Sequence, residues 1–186
     1  DVQEIAPSVA EKLSDTKTPQ GVFAVCAFPE NRAELAKDGL YVVLDGLQDP
    51  GNLGTILRTC DAMDVRGVLL CASADPWSPK ALRASMGCLF RLPVAVYKEA
   101  GEAFSALRQN GCAIFASTLS ADSVPLCDVR FPKRSAVVIG NEGSGIPEED
   151  LAQCDVRVTI PMPGRAESLN AASAAAILIY SAAGGG

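Results

Sequence analysis

Three polar segments, each directly after an apolar run, hold the residues that could do chemistry: 48–59, 141–147 and 163–170. Together they supply an arginine, carboxylates, hydroxyls, side-chain amides and closely spaced glycines. The chain has no histidine, which excludes a histidine-based triad and an imidazole general base. Any catalysis must therefore rely on a guanidinium, carboxylates, amides, hydroxyls and backbone groups.

The glycine-rich second segment does not match phosphate-binding patterns. Gly140 and Gly145 have the spacing of a P-loop, but Ile146 and Pro147 stand where that motif requires Lys and Ser or Thr. Glu148 occupies the place of the third glycine of a dinucleotide-binding fingerprint. Two interpretations stay open: a backbone-rich turn that presents amides and carbonyls to a small polar ligand, and an ordinary strand-to-helix turn.

The other two segments also permit a structural and a functional interpretation. Asn52 is a predicted helix N-cap, and Arg58 lies on the second turn of that otherwise apolar helix. Arg58 is either an exposed side chain that contacts only solvent or part of an anion-binding site. Ser168 and Asn170 precede the last predicted helix, where such residues act as caps or face a ligand.

Apolar runs predict the elements that position these segments. They are too apolar to leave one face in water, which favours strands buried on both sides. Strands are predicted over 21–28, 40–47, 67–72, 92–97, 112–118, 136–140 and 156–162. Helices are predicted over 31–37, 53–63, 79–90, 99–109, 147–153 and 168–180, and Asn110-Gly111 is expected to end the fourth. This alternation predicts an α/β fold, a mostly parallel sheet with helices on both faces, and ligands at the carboxyl ends of its strands.

Composition limits the class of protein. With 186 residues, of which 48% are hydrophobic and 20% charged, the chain can bury a substantial core and is not wholly disordered. The net charge of −6 excludes a generic polycation that grips nucleic acid by charge alone. An RNA partner would have to bind at a local basic patch. Alternatively, the basic residues only form a solvent-exposed face. The candidates are Lys80, Arg83, Arg91, Arg130, Lys133 and Arg134.

The seven cysteines form no C-x-x-C pair, which predicts buried free thiols in a reducing compartment. Neither a signal sequence nor an apolar stretch long enough for a bilayer is evident in the sequence. We therefore expect a cytoplasmic protein with no membrane partner and no metal.

Taken together, the three segments resemble the motifs of the SpoU/TrmH family of RNA ribose 2′-O-methyltransferases, within the SPOUT superfamily. The matches are D-P-x-N-x-G-x-x-x-R-T at 49–59, I-G-N-E-G-x-G-I at 139–146, and I-P-M with E-S-L-N-A-A-x-A-A-A at 160–176, in the family's order. The resemblance implies S-adenosylmethionine as methyl donor, an RNA ribose 2′-hydroxyl as acceptor, and a C-terminal deep trefoil knot that holds the donor. It also implies a homodimer whose sites are completed across the interface.

The resemblance assigns roles to individual residues. Arg58, Asn52 and Glu142 are the implied catalytic group. Because arginine is always protonated, we expect Arg58 to grip an RNA phosphate and stabilise the developing oxyanion rather than act as a literal base. The expected donor-binding residues are Ile139, Gly140, Asn141, Ile160, Met162, Ser168, Leu169 and Asn170.

Residues 1–20 resemble only the segment that connects an N-terminal RNA-binding domain to the catalytic domain in many family members. We therefore expect a linker or remnant over 1–20 and a methyltransferase domain over 21–186. The expected acceptor is a nucleotide of rRNA or tRNA, with rRNA preferred. Two alternatives remain: a non-catalytic knotted RNA-binding or assembly module, and an α/β enzyme of different chemistry whose loops match by chance.

Overall fold

The computed structural model describes residues 2–14, 16–27, 33–35 and 37–184, and its contacts divide the chain into two compact units, Asp1–Glu30 and Asn31–Gly186. The first unit contains helix α1 (Pro7–Leu13), which buries none of its residues. The strand predicted over 21–28 is wrong: residues 22–27 form no regular secondary structure and are exposed. An apolar run becomes a strand only when a neighbour pairs with its backbone, and within the described residues this run pairs with none.

The second unit is built on one parallel sheet. Within the described residues it has seven strands, in the order β3-β2-β1-β6-β4-β7-β5. They are β1 (Gly39–Asp45), β2 (Gly67–Cys71), β3 (Val94–Tyr97), β4 (Ala113–Ser117), β5 (Val124–Pro125), β6 (Arg134–Ile139) and β7 (Val156–Thr159). Each of the recorded strand pairings is parallel, which confirms the predicted sheet type. Only the two-residue β5 has no predicted counterpart.

Helices cover both faces of this sheet, as predicted. The described helices of this unit are α2 (Pro50–Ala62), α3 (Pro79–Ser85), α4 (Ala100–Gln109), α5 (Glu148–Leu151) and α6 (Ala171–Ala182), with 3-10 turns at Cys88–Phe90 and Leu126–Asp128. One core cluster lies under α2, α3 and α6 and includes Leu53 and Leu178. The other lies under α4 and α5 and includes Phe104 and Leu151. Alternate residues of β1 enter the two clusters, which explains its uninterrupted apolar sequence.

Four predicted helices have wrong bounds. The last two are Glu148–Leu151 and Ala171–Ala182 rather than 147–153 and 168–180. The other two differ for a local reason. The helix over 79–90 is interrupted because Met86 (φ 52°) and Gly87 (φ 81°) adopt left-handed backbone conformations after α3. Helix α2 begins before Asn52: Asp49 is its N-cap, and Pro50 occupies the first helical position, where a missing N–H costs nothing. Asn52 instead donates its backbone N–H to the Asp49 side chain.

Other predictions have a mixed outcome. The helix stop at Asn110-Gly111 is confirmed, since Gly111 has φ +69° directly after α4. The helix predicted over 31–37 falls largely outside the described residues. Among the helices of the described ranges, none has the length and apolar character needed to cross a membrane. The trefoil knot stays a prediction.

The sheet order positions the three polar segments. β1 and β6 are neighbours, although 88 residues separate the end of the first from the start of the second along the chain. Their carboxyl ends meet at one edge of the sheet, as do all carboxyl ends in a parallel sheet. The segments that follow β1 and β6 therefore lie side by side, and α6 packs against both α2 and β6 at the same place.

Candidate active site

Glu142, from the segment after β6, joins that segment to the start of α2. Its Oε2 accepts the backbone N–H of Gln48 at 3.1 Å, and its Oε1 accepts that of Asp49 at 3.0 Å. Oε1 also accepts from Asn52 Nδ2 at 3.2 Å. Burial by itself raises the pKa of the Glu142 carboxyl, but these donated hydrogen bonds outweigh it and hold the pKa below its ordinary value. The carboxylate is therefore ionised at neutral pH, and both of its oxygens already accept hydrogen bonds.

Asn170 brings the third polar segment into the same group. Its Oδ1 caps α6 by accepting from the backbone N–H groups of Ala172 and Ser173 at 2.9 and 3.3 Å. Its Nδ2 donates to Asn52 Oδ1 at 3.1 Å. Asn52 thus contacts Glu142 on one side and Asn170 on the other, and one residue from each of the three segments is present. The predicted cap at Asn170 is confirmed, and the same side chain also faces the candidate site.

Asn141 organises the turn after β6. Its backbone exchanges two hydrogen bonds of 3.0 Å with Gly145, and its Oδ1 accepts from the N–H groups of Gly143 and Ser144. Its Nδ2 donates to the carbonyl of Gly46 at 2.9 Å, which ties the turn to the end of β1. A Cβ on Gly140 would collide with the backbone of Gly145, so only glycine allows the turn to close this tightly.

A cavity of about 350 Å³ lies beside this group of residues. Seven of the eight predicted donor-binding residues line it: Ile139, Gly140, Asn141, Ile160, Met162, Ser168 and Leu169. The eighth, Asn170, lies next to it in the hydrogen-bond network. The cavity has the size of small-ligand sites, and it combines apolar side chains with hydroxyls and the polar backbone of the turn.

Three lining residues, Ser117, Thr118 and Leu119, were not predicted from the sequence. Ser117 is the last residue of β4, and Thr118 and Leu119 follow it. In the sheet order β4 lies next to β6, which lies next to β1. The signal was available, since these residues stand at the carboxyl end of a predicted strand, where ligands of parallel sheets bind. Ala171 and Ala174 of α6 also line the cavity, and their small side chains leave room there.

A buried carboxyl lies directly below the first segment. Asp45, the last residue of β1, is only 6% exposed, and its Oδ2 has no hydrogen-bond partner within the described structure. Burial, with a smaller contribution from the charge of Asp150, raises the pKa of Asp45 to about 6. Its neighbour Gly46 accepts hydrogen bonds from Asn141 and Gln48, so Asp45 is one residue away from the network.

Arg58 is not part of the cavity lining. It lies on the exposed side of α2, whose buried face consists of Leu53, Gly54, Ile56, Leu57 and Cys60. Within the described residues it makes no hydrogen bond and no ion pair. Its neighbour Thr59 lines a separate groove of about 560 Å³, which also includes Met63, Ala176, Ile177, Tyr180 and Ser181. A single copy of the chain therefore leaves this guanidinium available but apart from the donor-sized cavity.

The six predicted RNA-binding residues divide between two edges of the sheet. Lys80 lies at the cavity edge, where its Nζ is 2.7 Å from Asp49 Oδ2, and Arg83 follows one turn later on α3. Arg134 begins β6 and pairs with Asp38 at 2.6 Å. Arg91 lines a charged cavity near the amino ends of β2 and β3 and pairs with Asp61 at 2.6 Å. Arg130 and Lys133 precede β6, so these four lie away from the candidate site.

The α/β fold of this chain is that of solved methyltransferase structures of the SpoU and TrmH type. The crystal structure of the SpoU methyltransferase AviRb from Streptomyces viridochromogenes in complex with AdoMet superposes with a TM-score of 0.77 and 32% identity, over 84% of this chain and 64% of that one. The family model described as the SpoU rRNA Methylase family matches residues 39–180. The chain belongs to this family.

Two curated relatives differ in the RNA that their names give. The 23S rRNA (guanosine(2553)-2′-O)-methyltransferase RlmP of Bacillus subtilis is 37% identical over 169 residues, which cover 90% of this chain and 66% of the relative. The tRNA (guanosine(18)-2′-O)-methyltransferase of Thermus thermophilus is 36% identical over 145 residues, which cover 77% and 73%. The chain thus spans slightly less than two thirds of the length of the first of these relatives.

Proposed function

We propose that this chain transfers a methyl group from S-adenosylmethionine to a ribose 2′-hydroxyl of RNA, and that the RNA is ribosomal rather than transfer RNA. One observation carries the proposal: Asn52, Glu142 and Asn170, each from a different motif, form one hydrogen-bonded network beside a ligand-sized cavity. The family match and the greater coverage by the rRNA-modifying relative support the choice of RNA.

The cavity fits the methyl donor that the family implies. An adenosine group has an apolar ring with polar edges, and the cavity offers Ile139, Ile160 and Leu169 together with the hydroxyls of Thr118 and Ser168. When bound there, S-adenosylmethionine supplies an activated methyl group. Neither a metal nor a covalent enzyme intermediate is needed for such a transfer, so the chain's own task is to position the acceptor oxygen.

Arg58 has the main catalytic role in this proposal. A ribose 2′-hydroxyl becomes a good nucleophile as its proton leaves, and a nearby guanidinium stabilises the negative charge that develops on the oxygen. The guanidinium stays protonated, so it binds a neighbouring phosphate and leaves the proton to phosphate or water. The absence of competing contacts around Arg58 within the described residues leaves it available for this task.

Glu142, Asn52 and Asn170 act as positioning residues. The Glu142 carboxylate is occupied by two backbone N–H groups and the Asn52 amide, which favours a structural role over a proton-accepting one. Through these contacts the three residues hold the N-terminus of α2, and therefore Arg58 on the same helix, in a fixed relation to the cavity wall.

A homodimer completes the proposed site. The groove between α2 and α6 is lined almost entirely by apolar groups, and Ile177 and Tyr180 are 42% and 54% exposed there. Exposed apolar side chains grouped in this way favour a contact with another protein surface. Because Arg58 lies beside this groove rather than in its own cavity, the dimer would bring it to the cavity of the partner. We also infer a trefoil knot at the cavity and a cytoplasmic location, which the free state of all seven cysteines supports.

The decisive experiment incubates the protein with S-adenosylmethionine labelled in its methyl group and, separately, with ribosomal RNA and transfer RNA. We expect label on a ribose 2′-oxygen of ribosomal RNA and a loss of about 100- to 1000-fold in rate for Arg58→Ala, the usual effect of removing one preorganised donor. Label on transfer RNA alone would show that the substrate is transfer RNA and not ribosomal RNA. RNA binding without any label would favour the non-catalytic module, and label on another atom would favour a different enzyme.

Mixing two inactive variants tests where Arg58 acts. Arg58→Ala keeps an intact cavity, and Ser168→Trp, which fills the cavity from its lining, keeps Arg58 and the contacts that hold α2. If Arg58 serves the partner's cavity, a mixed dimer has one complete site, and mixing the two variants restores part of the activity. If Arg58 serves its own cavity, the mixture stays inactive, and the proposal of a shared site is wrong.

A further inference from the structure

We infer that the surface formed by Trp77, Lys80, Arg83, Met86 and Phe90, called here the α3 surface, binds an unpaired stretch of the RNA substrate. Phosphates would contact the two basic residues, and a base would stack on the aromatic pair. This inference rests on the proposed function, because it concerns how the same substrate reaches the cavity.

The segment around α3 is basic in an acidic chain. Residues 76–98 contain Lys80, Arg83, Arg91 and Lys98 and no acidic residue, whereas the whole chain has a net charge of −6. Lys80 and Arg83 are three positions apart on α3, and both are exposed, so they share one side of the helix. A local cationic stripe on an anionic body fits a polyanion better than it fits a generic protein surface.

Apolar side chains continue this stripe where α3 ends. Met86 has a left-handed backbone (φ 52°, ψ 34°), a region that residues with a Cβ rarely occupy, and its side chain is 70% exposed. Phe90, in the following 3-10 turn, is 63% exposed. Its ring lies 6.1 Å from that of Trp77 at an angle of 52°. Trp77 is half-buried and packs against the core, so it supports the exposed ring of Phe90 from below.

Aromatic faces next to cationic side chains are the usual means of binding single-stranded nucleic acid. Bases stack on the rings, and Lys or Arg contacts the intervening phosphates. Paired RNA keeps its bases inside the helix, so this arrangement suits an unpaired loop or a splayed nucleotide. A protein partner would use the apolar side chains but would have little need of the adjoining positive charges.

The α3 surface is continuous with the candidate site. Lys80 contacts Asp49, whose backbone N–H donates to Glu142 of the hydrogen-bonded network. The side chains of Lys80 and Asp49 are 60% and 43% exposed, so this ion pair is weak and a phosphate can replace the carboxylate as partner of Lys80. An RNA strand on the α3 surface would therefore arrive directly beside the cavity.

The single tryptophan of the chain makes the inference testable by fluorescence. The full chain is titrated with a single-stranded RNA 12-mer of mixed sequence, and quenching of Trp77 is followed. We expect Phe90→Ala to weaken binding roughly 5- to 100-fold, the effect of losing one base–aromatic stack. Phe90→Leu, which keeps an apolar side chain without a ring, should weaken it almost as much. Binding of S-adenosylmethionine by both variants, measured by calorimetry, shows that the fold is intact.

A matched pair of charge variants tests the phosphate contacts. Lys80→Ala should weaken binding and reduce the dependence of log Kd on log salt concentration by about 0.7, the value for one phosphate contact to a single strand. Lys133→Ala removes the same charge at the opposite edge of the sheet and should change neither quantity. Equal effects of the two variants would indicate unspecific attraction and overturn the inference.

Failure of this inference and failure of the proposed function give different results. If the wild-type chain methylates RNA but Trp77 is not quenched, or Phe90→Ala binds the 12-mer like the wild type, the α3 surface serves another partner, such as a protein, and the inference is wrong. If the 12-mer quenches Trp77 and the variants behave as expected but no RNA is methylated, the inference holds and the proposed function fails. A wild-type chain that does not bind the 12-mer overturns the inference directly.

Discussion

Asn52 and Asn170 are 118 positions apart in the chain, yet their side chains share a hydrogen bond of 3.1 Å. This bond connects the first turn of α2 to the cap of α6. It follows from the sheet order, since α2, whose first turn contains Asn52, packs against α6, which Asn170 caps, and α6 also packs against β6. Asn170 therefore has two structural roles: its Oδ1 caps α6, and its Nδ2 holds the first turn of α2 through Asn52.

Two substitutions of Asn170 separate these tasks. Asn170→Asp keeps an oxygen for the cap but loses the donor to Asn52, so we expect a free energy of unfolding within about 0.5 kcal/mol of the wild type and a clear loss of methyl transfer. Asn170→Ala loses the cap as well and should cost about 1 kcal/mol more. Urea unfolding and turnover are measured side by side. Equal stability of the two variants would contradict the capping role.

Glu142 should make the chain more stable at neutral pH than in acid. Its pKa is lower in the folded chain than in the unfolded chain, so its contribution is complete above the unfolded value of about 4.3 and is lost as pH falls through the folded value. Because Glu142 lies at the exposed rim, we expect Glu142→Gln to cost only about 1 kcal/mol at pH 7. The difference from wild type should shrink on acidification. A constant difference would show that ionisation is irrelevant.

Asp45 should have the opposite effect. Its pKa is raised to about 6 in the folded chain, so the folded state binds a proton that the unfolded state has already lost between pH 4 and 6. Ionisation of Asp45 therefore lowers the free energy of unfolding as pH rises through this window, by roughly 2–3 kcal/mol. Asp45→Asn should remove this loss and be more stable than wild type at pH 8. The free energy of unfolding of each variant is measured at pH 4.5 and at pH 8. Asp150→Asn is the control, because it removes only the neighbouring charge.

Gly54 is required where α2 and α3 pack. A Cβ at this position would lie 2.6 Å from the carbonyl oxygen of Ala81 and 2.9 Å from the backbone nitrogen of Ser85, and no side-chain rotation relieves a clash with backbone. We expect Gly54→Ala to lower the free energy of unfolding by about 1–3 kcal/mol. Gly101→Ala is the matched control, because a Cβ there meets only the amide of Gln153 at 3.6 Å. The control should be neutral or stabilising by up to about 1 kcal/mol.

The parallel sheet and the cavity edge could be predicted from the sequence because they depend on local signals. The predicted strand 40–47 is apolar apart from Asp45 and Gly46, and a polar segment directly follows it. Other features depend on neighbours that are distant in the chain. The run at 22–27 has the same composition as a strand but lacks a partner, and Ser117–Leu119 line the cavity only because β4 lies close to β6.

The individual site residues also differ in whether local sequence signals or distant neighbours determine their contacts. Asn170 was a recognisable cap, whereas its bond to Asn52 requires the packing of two helices that no spacing encodes. Met86 and Gly87 end α3 through backbone conformations that the helical period of 79–90 did not indicate. The position of Arg58 outside the cavity lining could not be predicted either, because the spacing of α2 does not indicate what its exposed face meets.

The short strand at the far end of the sheet affects how copies of this chain can associate. β5 has two residues, and the second, Pro125, has no N–H to offer to an added strand. On that side the sheet cannot be extended by pairing with another molecule, which protects it from edge-to-edge aggregation. Any association of copies on that side must then use side chains rather than backbone ladders, so single substitutions could abolish it without unfolding the sheet.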